Sequence, residues 1–261
     1  MINEYEWNRM MEGKLYGPFR VGDDSFERVH AAQKAFNESE YWHDKEAFEK
    51  LKKCFGSAPE DMVLTPPVYF DHGDRVFFGK SFYANTDLTI LDENYVRFGD
   101  HVYLAPHVSI YTAGHPIDSL IRNKDLEYAK PVTIGSDVWI GGNVVINPGV
   151  TIGDDVVIGS GSVVTKDIPS HCVAAGNPCR VIRPITEKDR ENWEKQYKEY
   201  MSGDTDKRRC LNLRIVIICY QKKGAIDEKN YQNCEHSSHS RTDSVGDFSD
   251  YPSSCNCCLA F

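Results

Sequence analysis

No stretch of this sequence approaches the roughly 18 consecutive apolar residues a membrane helix needs. The longest candidate, Leu211–Tyr220, is short and interrupted by Asn212 and Arg214. Met1–Glu6 also lacks a basic segment followed by an apolar run, the mark of a secretory leader. A cytoplasmic protein without a membrane partner is therefore expected. Positive charge is in deficit: the net charge is −9, which removes any broad electrostatic reason to bind nucleic acid. That balance still leaves room for a small basic pocket that holds an anionic cofactor. The nine cysteines provide neither a disulfide framework nor a paired CxxC zinc pattern. Their number is odd, and six of them, from Cys210 to Cys258, crowd the tail, so free thiols are expected.

What is present falls into distinct regions. Residues 1–60 read as a helical segment, because Met10, Leu15, Val29, Ala32, Phe36, Phe48, Leu51 and Phe55 recur at three- and four-residue intervals among charges. Gly22-Asp23-Asp24-Ser25 interrupts that pattern and offers a cap for a second helix. Residues 186–203 are charged and helix-compatible. Residues 204–261 form a divergent tail of uncertain order, with a Ser-rich stretch and a Cys-rich end.

Between them, residues 61–185 carry a period of six. From Ile134 the chain reads IGSDVW, IGGNVV, INPGVT, IGDDVV, IGSGSV, VTKDIP. Ile134, Ile140, Ile146, Ile152, Ile158 and Val164 open the units, and Val138, Val144, Val150, Val156 and Ser162 follow four places later. The register extends upstream through Phe98, Leu104 and Ile110 and, with slippage, through Phe78, Ala84 and Ile90. A period of six is not a helical stripe; it marks a parallel β-helix in which three hexapeptides close one triangular coil. The opening aliphatics should point inward, with Gly, Asn and Asp at the strained corners. Between Ile110 and Ile134 the register breaks and resumes in phase, so a loop containing Gly114-His115-Pro116 should protrude from the scaffold.

Residues 5–190 resemble the maltose and galactoside O-acetyltransferases. The resemblance is carried by Met11–Tyr16, Phe36-Asn37, Pro66–Tyr69, Phe82–Asn85, Tyr111–Pro116, Val138–Gly141 and Ala175–Ile182. It implies an all-β core, a left-handed parallel β-helix of hexapeptide repeats, with an N-terminal helical cap and a short C-terminal helix. It further implies a homotrimer, acetyl-CoA as co-substrate, a sugar acceptor and no metal.

The chemistry requires a base for the acceptor hydroxyl and a donor to the oxyanion. His115 suits the first role, since imidazole titrates near neutral pH. Asn85 matches the family's asparagine beside the tetrahedral intermediate, although asparagine is also a common corner residue. Glu127 either orients His115 or is a solvated carboxylate. The resemblance places the acceptor against Asp71, Tyr83, Asn85 and Glu93. Galactoside enzymes carry an aspartate at the position of Glu93 and an acidic residue at that of Pro18, so maltose- or glucose-type acceptors are favoured. For the cofactor the matching positions are Gly142, Ser160, Thr165, Lys166, Arg180 and Arg183, the last three supplying positive charge for phosphates. Trp139 either walls this channel or braces a corner.

Two rival readings share the scaffold: a γ-carbonic-anhydrase-like zinc enzyme and a non-catalytic β-helix protein. For the zinc reading, His101 and His107 are six residues apart and are expected to stack on successive coils, with His115 following. The terminal Cys258-Leu259-Ala260-Phe261 fits a prenylation pattern, with a divergent extension of no role as the plainer reading.

Overall fold

The structure, a computed structural model, describes residues 1–40 and 44–203. The tail with its CaaX-like end, six of the cysteines and the Leu211–Tyr220 stretch lie outside the described residues. No described helix is long and apolar enough to cross a membrane. Met1–Glu187 forms one compact unit.

The core of that unit is a left-handed parallel β-helix with three sides. Side one stacks the strands Val63–Leu64, Tyr83–Ala84, Tyr103–Leu104, Trp139–Ile140, Val156–Ile158 and Cys172–Ala175, closed by antiparallel Arg180–Pro184. Side two stacks Val68–Phe70, Leu88–Leu91, Ser109–Tyr111, Val145–Ile146 and Val163–Val164. Side three stacks Val76–Phe77, Val96–Phe98, Val132–Ile134 and Thr151–Ile152. Every aliphatic opener from Ile134 to Val164 is at most 1% exposed, and Val138, Val144, Val150, Val156 and Ser162 are buried beside them. The expected inward register is therefore the observed one, and it leaves no space for larger side chains along the axis.

The corners need φ in the left-handed region, which glycine tolerates best and Asn and Asp tolerate next. Asp87, Asp137, Asn143, Asp155, Gly149 and Gly161 take such positions. His101, His107 and His171 also hold them, each with its Nδ1 facing an aspartate: Asp137 at 3.1 Å, Asp87 at 3.5 Å and Asp155 at 2.9 Å respectively. This corrects the expected stacking of His101 on His107. A six-residue step advances one side, not one coil, so His101 lies between sides three and one and His107 between sides one and two.

The helical cap consists of α1 (Glu4–Met11), α2 (Ser25–Asn37) and α3 (Lys45–Lys52). Asn3 caps α1 by accepting from the backbone N–H of Tyr5 and Glu6, and Asp44 caps α3 by accepting from Ala47. Val29, Phe36 and Leu51 lie in one buried cluster with Phe55, Phe70, Phe78 and Phe82, closing the end of the β-helix. Met10, Tyr16 and Val21 form a second cluster with Ala129 from the protruding loop. A buried polar knot joins the two parts: Arg75 is ion-paired with Asp23 and lies 4.8 Å from the centre of the Trp7 ring. After the β-helix comes α5 (Glu187–Gly203), matching the expected C-terminal helix; its Arg190 pairs with Glu194 at 3.0 Å.

Candidate active site

The protruding loop leaves side two after Tyr111 and returns at Val132, which pairs with Val96 as though nothing had intervened. Its base is a short antiparallel pair, Ala113–Gly114 against Tyr128–Ala129. A Cβ on Gly114 would meet the Tyr128 ring at 2.6 Å, so the residue before His115 is glycine for want of space. Between the two strands, α4 (Ser119–Arg122) is capped by Asp118, and Arg122 donates to the Pro116 and Ile117 carbonyls.

The backbone therefore fixes His115. Its Nδ1 lies 3.3 Å from the Leu126 carbonyl oxygen, which can only accept. The Nδ1 proton is thereby committed, and the neutral ring keeps its lone pair on Nε2. That nitrogen lies 3.9 Å from Glu127 Oε1. His115 is 56% exposed, whereas Glu127 is 18% exposed. Both line a recess of about 360 Å³ with Pro18, Phe19, Arg122 and Asp125.

Asp71 and Glu93 stand at the same corner, between sides two and three, in successive coils. Their carboxyls are close enough to interact electrostatically. Burial, followed by the neighbouring Asp71, pushes Glu93 up to about 8; burial also raises Asp71. The repulsion is relieved when Glu93 keeps its proton. Beneath them, fully buried Asp92 accepts from the N–H groups of Asp71, His72 and Gly73, and burial pushes it up to about 6. His30 of α2 approaches Asp71 at 4.0 Å. Sequence reasoning did not find His30, Asp92 or Arg75, because one strand-end aspartate and one helix histidine carry no motif.

The remaining predicted residues divide between two corners. Asn85 and Tyr83 belong to side one and its corner with side two. In that corner Asn85 Oδ1 accepts from Thr86 N at 2.8 Å, leaving the amide NH₂ as the group free to turn outward. Gly142 and Ser160 continue the same corner in later coils. The adjoining Gly141 passes so close that a Cβ there would meet Ser160 N at 2.6 Å. Thr165 and Lys166 instead follow Val164 at the corner of His115. Arg180 and Arg183 lie on the exposed closing strand, Arg180 donating to the Cys179 carbonyl. Within one chain the width of side two thus separates Asn85 from His115.

Comparison with known proteins agrees with the β-helix architecture. The family described as bacterial transferase hexapeptide (six repeats) matches residues 131–166. The galactoside O-acetyltransferase of Escherichia coli K12 is 48% identical over 191 residues, covering 73% of this chain and 94% of that protein. The chain belongs to the maltose and galactoside O-acetyltransferase family. It is an acetyltransferase of the hexapeptide-repeat class. Among solved structures, a galactoside acetyltransferase in complex with coenzyme A superposes with a TM-score of 0.69 at 44% identity, over 71% of this chain and 93% of that one. A maltose O-acetyltransferase from Clostridium difficile 630 superposes with a TM-score of 0.66 at 43% identity, over 71% and 98%. The resemblance carried by short motifs thus extends over 191 residues of the chain. Within the family's scaffold, this chain supplies a proline and a phenylalanine, Pro18 and Phe19, as one wall of the His115 recess.

Proposed function

We propose that this acetyltransferase moves the acetyl group of acetyl-CoA to a hydroxyl of a sugar acceptor by direct transfer, with His115 as general base. The observation that carries the reading is the Nδ1 contact to the Leu126 carbonyl, which leaves Nε2 open to the recess. Nε2 takes the acceptor proton as the oxygen attacks the thioester carbon. The tetrahedral oxyanion receives a hydrogen bond from the Asn85 amide. Collapse breaks the C–S bond, and the His115 imidazolium returns the proton to the departing thiolate. Glu127 faces the imidazolium formed midway and favours its charge.

On the acceptor side, Asp71 and Glu93 bind adjacent hydroxyls and Tyr83 adds an aromatic surface. A maltose- or glucose-type acceptor fits better than a galactoside, because Pro18 offers no carboxylate to the recess. On the cofactor side, Gly142 and Ser160 let the pantetheine arm lie along the coil, while Thr165, Lys166, Arg180 and Arg183 meet its polar and phosphate groups.

A homotrimer completes the site. Asn85, Gly142 and Ser160 occupy one corner and His115, Asp71, Glu93 and Lys166 another, so a second copy must bring the two sets together. Side one also presents an outward ladder of Val63, Tyr83, Tyr103, Trp139, Val157 and Val173, aliphatic or aromatic and uncharged at every step and suited to burial between copies. Side three is more polar, with Phe77, Arg97, Thr133 and Thr151 in the matching rows. An acetyl-CoA assay over mono- and disaccharides, read by thiol release, tests the reading. Acetylation of maltose or glucose supports it, and no transfer to any sugar defeats it.

A further inference from the structure

The cap reaches the proposed catalytic base through one buried hydroxyl. Tyr16 follows α1 and is only 1% exposed, so it cannot touch a substrate. Its backbone pairs with Glu127 in both directions, Tyr16 N to Glu127 O at 2.9 Å and Glu127 N to Tyr16 O at 3.1 Å. Its hydroxyl donates to Glu127 Oε2 at 3.0 Å. The other oxygen, Oε1, is the one that lies 3.9 Å from His115 Nε2. One carboxylate is thus divided between a fixed donor in the cap and the imidazole in the loop.

We propose that Tyr16 is a positioning residue for acetyl transfer: by holding Glu127 Oε2, it aims Oε1 at the His115 ring as that ring becomes an imidazolium. The inference rests on the reading of His115 as general base. Three features support a role beyond packing. Burial, and then the Glu127 and Glu93 carboxylates, push the Tyr16 phenol above its ordinary range, so it stays a neutral donor. The Glu127 backbone is already held at both its N–H and its C=O, leaving the hydroxyl free to set the carboxylate alone. Finally, the unprotonated Nε2 and the carboxylate oxygen both only accept, so at 3.9 Å they share no hydrogen bond, and an attractive pair forms only once Nε2 carries the acceptor's proton.

The test uses the full chain and the variants Tyr16→Phe, Glu127→Gln, the pair together, and His115→Ala. Tyr16→Phe keeps the ring and loses only the donor. It should lower kcat about tenfold while both Michaelis constants stay within about twofold, since the lost interaction acts on a charge present only in the transition state. Because Tyr16 works through Glu127, the double variant should be no slower than Glu127→Gln alone. A merely structural tyrosine would lower the melting temperature, and its effect on kcat would add to that of Glu127→Gln. Wild-type kcat in Tyr16→Phe, or additive losses, overturns the proposal. If His115→Ala stays active, the reading of the base fails instead, so the two failures are distinguishable. Should Tyr16→Phe not fold, Glu127→Asp takes its place: it draws the carboxylate back from both partners and leaves Tyr16 in the core. The same loss confined to kcat is then expected, and a wild-type kcat overturns the proposal.

Discussion

Asp71 and Glu93 hold their carboxyls at the same corner of successive coils, and burial together with the Asp71 charge favours the protonated form of Glu93. Burial, and then the Asp71 charge, push Glu93 up to about 8 from an ordinary 4.5. A raised carboxyl pKa means the folded state binds the extra proton, so stability is present at low pH and lost as pH rises toward 8. Below about 6.5 the signal is mixed, because burial lowers His72 to about 4 and raises Asp92 to about 6. Between pH 6.5 and 8, Glu93 dominates. The melting temperature should fall across that window, and Glu93→Gln, which cannot ionise, should flatten the fall. An unchanged slope in the variant would mean that Glu93 does not keep its proton in that window.

The division of Asn85 and His115 between two corners predicts complementation. His115→Ala and Asn85→Ala should each be nearly inactive alone. Unfolded together and refolded as mixed trimers, they should regain activity in about a quarter of the sites, those pairing an intact His115 from one copy with an intact Asn85 from another. No recovery in trimers shown to be mixed, or full wild-type activity in a monomer by light scattering, would mean that each chain completes its own site.

The basic groups at the closing strand should act on cofactor affinity. Arg180→Ala with Arg183→Ala should raise the Michaelis constant for acetyl-CoA while leaving that for the sugar unchanged, since charge meeting a phosphate is satisfied in the ground state. The effect should shrink at high salt, where screening has already weakened the wild-type contacts. Loss of melting temperature with an unaltered acetyl-CoA constant would assign these arginines to the stability of the last coil.

Asn94 ties cap, loop and coil together. Its amide donates to the Met10, Met11 and Ala129 carbonyls while its oxygen accepts from Tyr95 N, and it is 1% exposed. Asn94→Ala orphans these groups and should cost about 2 kcal/mol of unfolding free energy. Denaturant melts that match wild type would show that the cap is held by apolar packing alone.

Most of the β-helix was legible because its constraint is local and repeated. Each coil needs an inward aliphatic at the same phase, so Ile134, Ile140 and Ile146 announce both the strand and its direction. The protruding loop was legible by the same rule, as a break in phase between Ile110 and Ile134. The site was less so. His115 stood out through its flanking Gly114 and Pro116, but its second contact, Leu126 O, is a backbone atom that any residue provides. Tyr16 and Glu127 are 111 positions apart, and their contact depends on how the cap lies against the loop. The misplacement of His101 on His107 has a simple cause: in a three-sided coil, sequence neighbours at six are spatial neighbours around the axis, not along it.

Removal of the acceptor proton by His115 is the step on which the proposed reaction turns. The most direct measurement compares single-turnover acetyl transfer to sugar by the wild type and His115→Ala, with acetyl-CoA binding determined by titration on the same preparations. Transfer should be slower by about two to four orders of magnitude with acetyl-CoA binding unchanged. A variant that keeps more than about a tenth of the wild-type rate, well above what a lost general base allows, would contradict it.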